Sequence, residues 1–179
     1  MRFSEFSKAL DDLENNLHQL THEDLEPIYD GPLNREAYHH SKLRIVWLLK
    51  EPYGREDAGS RLEEWFGSLT FFSGKISPTW KRVTYVTHGV LSNRLWNEMD
   101  DYNPEMKKEL KVISWLNVQK VPLKDSSNTN DSDITEVLKN PLTFDIIKSQ
   151  LELLKPDVII CGNTFKFLCN NLLQSDYIC

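Results

Sequence analysis

Three short runs limit what this chain can become: "LRIVWLL" at 43–49, "VISWLNVQKVP" at 112–122 and "DVIICG" at 157–162. Each is rich in β-branched or aromatic residues and does not alternate with polar ones. Such a run reads as a strand covered on both faces. The first strand is expected over 43–49, the second over 112–117 before Pro122, and the third over 157–161. Long stretches of helical periodicity lie between them, so each connection is long enough for a crossover. Strands alternating with helices in this way predict an α/β three-layer sandwich around a central, mainly parallel sheet.

The intervening segments supply the layers. Phe3, Phe6, Leu10, Leu13 and Leu17 recur at helical spacing within residues 1–20, with Ser4 or Ser7 as the expected cap. Residues 21–42 read as polar and irregular, with turns at Pro27 and "DGP" (30–32) and a short helix over 33–39. Residues 1–42 together form a helical N-terminal extension packed on the main domain. Helices are expected over 60–68 and 79–96, the Lys and Arg residues of the latter pointing outward. Residues 123–133, "LKDSSNTNDSD", read as a polar loop. Pro141 divides the next helical region, with Thr143 as expected cap and a stripe of Phe144, Ile147, Leu151 and Leu154. A further helix begins in "NTFKFLCNNLL".

The chain has 179 residues, which predicts one domain, 1–179, with a sizeable core. Hydrophobic residues at 40% and charged residues at 27% place it among soluble globular proteins. A net charge of −6 is unlike that of a strongly basic nucleic-acid binder, although a local positive groove is compatible with it. Cys161, Cys169 and Cys179 have no metal-ligand spacing. Their odd number, and the lack of a signal-peptide pattern, predict a reducing cytoplasmic setting. No apolar run approaches a membrane span. The closing "SDYIC" resembles neither a tail nor a cap, which suggests that the natural chain continues.

In open parallel sheets, ligands sit beyond the carboxyl ends of the strands. Three such ends are readable: "KEPYGRED", "NVQKVPLKDSSN" and "CGNT". Glu51 and Asp57 are placed either to activate water and stabilise positive charge, or to stand as solvated loop charges. Pro52 and Gly54 shape a turn that can offer N–H groups, and Tyr53 can stack on a ring or cover the core edge. Asn117 can read a polar ring edge or bind loop backbone. Ser126, Ser127 and Asn128 can contact phosphate or belong to a plain loop, with Lys120 and Lys124 as the nearest cations. Gly162 and Asn163 stand at a helix entrance that favours an anion, or Gly162 serves only a tight turn. Phe72, beside Phe71 in "LTFFSG", frames a pocket or packs as core. The five histidines form no HExxH pattern, and Walker A, GxGxxG and GxSxG stretches are absent.

Taken together, "LLKEPYGRED", "WLNVQKVP" and "IIKSQLELLKPDVIICG" resemble the uracil-DNA glycosylase superfamily, nearest to its iron–sulphur family-4 group, in order and spacing over roughly residues 43–168. The resemblance implies a parallel sheet between helices and a DNA-repair hydrolase that flips a damaged base and cleaves its N-glycosidic bond. It implies Glu51 as the water-activating or cation-stabilising residue, Tyr53 against the base, and Asn117 as the polar residue after the middle strand. The family's cluster-binding cysteines have no counterpart, so no iron–sulphur centre, metal or other cofactor is expected. Its late His-Pro-Ser motif has none either, since no histidine lies beyond His88. The implied partner is DNA, single-stranded or locally unpaired, because an acidic surface suits duplex poorly. The alternative is a non-catalytic module on the same scaffold that binds a nucleotide or a protein.

Overall fold

The computed structural model describes residues 1–20, 25–50, 58–61, 64, 77–122 and 131–167. Four strands form one sheet: β1 (Gly31–Pro32), β2 (Ile45–Leu49), β3 (Ile113–Asn117) and β4 (Val158–Cys161), in spatial order β1-β3-β2-β4. The three expected strands are neighbours and parallel, with Ile45 opposite both Ile113 and Val158. Helices flank the sheet on both faces, so the fold is an α/β sandwich.

Alternation along the strands divides the core in two. Val46, Leu48 and Leu116 face α1 (Phe3–Leu17), α2 (Arg35–His39), α4 (Asp131–Lys139) and α5 (Pro141–Leu154), packing with Phe6, Leu10, Tyr38, Ile134 and Ile147. Ile45, Trp47, Ile113 and Trp115 face α3 (Pro78–Ser92) and the 3₁₀ segment Pro104–Val112, packing with Trp80, Val83 and Leu110. Trp80 stacks on Trp115 with ring centroids 4.0 Å apart, and the Trp47 indole donates to Thr87 Oγ1 at 3.0 Å. Both faces are covered, which is why these strands are apolar throughout rather than alternating.

The connections explain the two layers. From β2 the chain crosses to β3 through α3; from β3 it passes back over β2 to β4 through α4 and α5. Two crossovers of the same hand that run in opposite directions land on opposite faces. The order therefore reverses at β2, and the topological switch point lies between β2 and β4.

Several boundaries differ from expectation. β1 lies inside the stretch expected to be irregular, pairing antiparallel with β3 as an edge strand (Gly31 opposite Trp115), so residues 1–42 contribute to the sheet and core as well as packing on them. Two residues, one of them proline, carry no strand pattern, and an edge is where proline is tolerated. Helix α1 starts at Phe3 with Arg2 as its cap residue, not Ser4 or Ser7: the Glu5 carboxylate accepts the Arg2 N–H at 3.0 Å. Helix α3 stops at Ser92, not 96, because Asn93 takes the left-handed conformation (φ 51°) that ends helices. Lys81, Arg82 and Arg94 are exposed as expected. Residues 131–133 begin α4 and are not loop. Asn140, not Thr143, caps α5, accepting from Leu142 N at 3.0 Å with Pro141 at the first helical position, while Thr143 is buried. The expected helix over 60–68 falls largely outside the described residues. α6 (Phe165–Phe167) follows β4. Among the described residues no helix is long and apolar enough to cross a membrane.

Tyr38 is fully buried, and its hydroxyl donates at 3.2 Å to the Leu154 carbonyl, a helix-terminal acceptor left over by α5. Burial pushes this phenol well above its ordinary value of 10.0. The unfolded phenol ionises near that value while the folded one keeps its proton. Its contribution to stability is therefore complete below pH 10 and is lost as pH rises above it. In denaturant unfolding from about pH 8 to about pH 11, the stability advantage of wild type over Tyr38→Phe should shrink only in the alkaline part of the range. A gap that stays constant with pH would contradict this.

Candidate functional site

The carboxyl edge of the sheet is level across its three parallel strands. Leu49 pairs with Asn117 on one side, and on the other the Gly162 N–H donates to Leu48 O at 2.9 Å. Beyond β2 the pairing with the chain after β3 continues, since Val118 N donates to Leu49 O and Gln119 N to Lys50 O, both at 2.8 Å. "LLK", "WLN" and "ICG" thus end side by side. Of the expected site residues, Asn117, Gly162 and Asn163 are described. Glu51, Pro52, Tyr53, Gly54, Asp57, Phe72, Ser126 and Ser127 lie outside the described residues, as do Lys124 and Asn128.

Asn117 is only 2% exposed. It shares the face of Trp115, two residues back, and its Oδ1 accepts the Trp115 indole N–H at 3.1 Å. Its backbone N–H donates to Asp30 Oδ2 at 2.6 Å. The side-chain oxygen that would read a base is thus held by a neighbouring ring. Gly162 has a packing reason to be glycine: a Cβ there would come within 2.2 Å of Leu49 Cδ2. Both N–H groups are used, that of Gly162 on Leu48 O of β2 and that of Asn163 within the turn on Cys161 O at 3.0 Å, so neither is open to an anion. Asn163 itself is exposed and left-handed (φ 61°), a conformation asparagine tolerates. Thr164 closes the turn by donating to Leu48 O at 2.7 Å. Cys161 is half-buried, and burial pushes its thiol up despite a hydrogen bond with Thr164 that works the other way; it is not a poised thiolate.

Lys120 is not a cation facing a ligand. It is buried, and its Nζ donates to Asp30 Oδ1 at 2.9 Å, to Asp30 Oδ2 at 2.8 Å and to Gln150 Oε1 at 2.7 Å. Gln150 Nε2 returns a bond to Asp30 Oδ1 at 2.9 Å. With the Asn117 N–H, the ammonium has three acceptors and the carboxylate four contacts, so every strong donor and acceptor is matched. Burial pushes the Lys120 ammonium below its ordinary value and the Asp30 carboxylate opposes that shift. Neither Asp30 nor Gln150 stands out in the sequence as a site residue: Asp30 reads as part of a turn. The available signal was Gln150, a polar residue sitting between Ile147 and Leu154 at helical spacing.

Among the described residues no group of three or more His, Cys, Asp or Glu side chains could hold a metal. No protein-family model, no curated protein and no solved structure matches this chain.

The closed network makes a quantitative expectation. The side chains of Lys120 and Asp30 are 1% and 0% exposed. Asp30→Ala and Lys120→Met should each cost roughly 3–5 kcal/mol in urea unfolding, because each strands a buried charge. The double variant should cost less than the sum of the two by more than about 1 kcal/mol. Additive losses would show that the pair is not coupled.

Proposed function

We propose that this chain is a uracil-DNA glycosylase-type hydrolase, cleaving the N-glycosidic bond of uracil or another damaged base in single-stranded or locally unpaired DNA. The observation that supports the reading is the reversal of strand order at β2, since doubly wound sheets as a class take their ligands beyond the carboxyl ends of the strands at such a point. "LLKEPYGRED", the stretch that most resembles the glycosylases, begins there, and Glu51 follows Lys50 directly. In this mechanism the sugar becomes cation-like as the base departs with the bonding electrons. Glu51 stabilises that cation and orients the attacking water. Tyr53 stacks against the flipped base. Asn117 acts as a positioning residue, tying the end of β3 to Asp30 and Trp115. No cofactor enters the reaction. Unpaired DNA is favoured because it avoids the cost of opening a duplex and asks less of a chain of net charge −6. The free Cys161 suits a cytoplasmic setting.

One observation favours a second reading, a non-catalytic module that binds a nucleotide or a protein at the same edge. The Asn117 oxygen, the acceptor that would read a base edge, is occupied by the Trp115 indole.

Alkali-revealed strand cleavage at uracil separates the two. Wild type should give abasic product, faster on single strands than on duplex, and Glu51→Gln should lose roughly 10²–10³ in rate. DNA binding without product over a panel of damaged bases would select the second reading. Equal rates for wild type and Glu51→Gln would overturn the role given to Glu51.

A further inference from the structure

The two edges of the sheet are not alike. β1 closes one of them with two residues, one a proline, which gives another chain little to pair with. β4 closes the other. Its sequence, Val158-Ile159-Ile160-Cys161, is apolar throughout and holds neither the charge nor the proline that commonly blunts an edge. A run of this kind belongs between two strands, as in β2 and β3, which are buried almost throughout. The residues of β4 are instead all half-exposed.

The backbone of that edge is open as well. Val158 N donates to Arg44 O at 3.2 Å and Gly162 N to Leu48 O at 2.9 Å, so Val158, Ile160 and Gly162 turn their N–H groups toward β2. By the alternation of a parallel ladder, Ile159 and Cys161 turn their N–H and C=O groups away from it, as does the C=O of Asp157. Asn163 N takes Cys161 O at 3.0 Å. The groups left facing outward, among the described residues, are the N–H of Ile159 and Cys161 and the C=O of Asp157 and Ile159. They are placed symmetrically about Ile159.

We propose that β4 is a dimer interface, pairing antiparallel with β4 of a second copy of this chain about a two-fold axis at Ile159 and joining the two sheets into one. In that register Ile159 exchanges its N–H and C=O bonds with the partner's Ile159, and the Cys161 N–H reaches the partner's Asp157 C=O. Each outward group is used once and none is left over. The same register sets Ile159 against Ile159 on one face of the sheet and Ile160 against Val158 on the other, so the half-exposed side chains cover one another. A strand of other composition would supply the backbone bonds, but the side chains call for β-branched residues on both faces, and a second β4 has them. The axis turns the two carboxyl edges in opposite directions, so each copy keeps its own.

Light scattering and amide hydrogen exchange on the 179-residue chain test this. At about 100 μM a dimer is expected, dissociating on dilution. The Ile159 and Cys161 amides should be protected in the dimer and lose that protection in the monomer, whereas the Ile160 amide, turned toward β2, stays protected in both. Ile159→Pro removes an outward N–H and none that β2 uses, so it should weaken dimerisation by about tenfold or more while the chain still unfolds cooperatively. Ile159→Lys, which leaves the backbone groups intact and puts a charge on the edge, should weaken it as well. A monomer at this concentration would overturn the proposal, as would a dimer in which the Ile159 and Cys161 amides exchange freely, or one of undiminished strength in both variants. Protection of both amides in a monomer would show the edge covered within one chain, and would overturn it too.

Discussion

The fold turns on one buried ion pair. Asp30 and Lys120 are 90 residues apart in the chain, yet they meet with Gln150 in a network in which every strong donor and acceptor is matched. Burying two charges costs several kcal/mol per ion before any return, so such a pair is weak evidence for stability in itself. Its effect here is positional. Asp30 also takes the backbone N–H of Asn117, and Ile28 N donates to Lys120 O at 2.9 Å. The segment leading into β1, the segment leaving β3 and the middle of α5 are thereby held to one arrangement. A β1 of two residues could not set its register through side-chain alternation, which needs length to be selective. The carboxylate sets it.

From that anchor the sheet grows in two directions. β1 and β3 lie on one side of β2 and β4 on the other, and the layers differ accordingly. The face toward α3 is aromatic, with Trp47, Trp80 and Trp115 in one cluster and Trp80 stacked on Trp115, while the face toward α1 and α5 is chiefly aliphatic. The indole N–H groups on the aromatic face need acceptors once buried. Trp47 finds Thr87, and Trp115 finds Asn117. Asn117 thus completes a strand on its backbone side and an indole on its side-chain side.

How much of this was legible follows from what kind of interaction made each piece. β2, β3 and β4 were readable because burial on two faces leaves an unbroken apolar run in the sequence. α5 was readable from its spacing, but its buried face is Ile146, Ile147, Gln150 and Leu154 rather than a purely apolar stripe through Phe144 and Leu151. The helix turns Gln150 inward because Asp30 and Lys120 are there to receive it, and contacts across 30 and 120 residues leave no local pattern. β1 was hidden because Gly-Pro is a turn signal unless a neighbouring strand offers an edge. At the carboxyl edge, the ends of the three strands were located correctly, whereas Lys120 looked like an open cation because its partner is distant in sequence. The pairing of Trp115 with Asn117 is local, an i, i+2 contact on one strand face, and period-two alternation alone places the two side chains together.

The network also divides the labour at the carboxyl edge. On the β3 side, Asp30 and Lys120 spend their polar groups on one another, on Gln150 and on the Asn117 N–H, and the Asn117 side-chain oxygen takes the Trp115 indole. On the β4 side, Gly162 lets the chain approach Leu49 closely and gives its N–H to Leu48 O across the sheet, while Asn163 uses its N–H within the turn. Neither flank offers a free charged group among these residues. The glycosylase reading assigns the reactive group to the sequence that follows β2, the strand at which the order reverses. A fixed floor such as the Asp30–Lys120–Gln150 network suits catalysis, since transition-state stabilisation depends on groups that do not have to reorganise during the reaction. Under the glycosylase reading, Asn117 belongs to that floor, and the chemistry falls to Glu51.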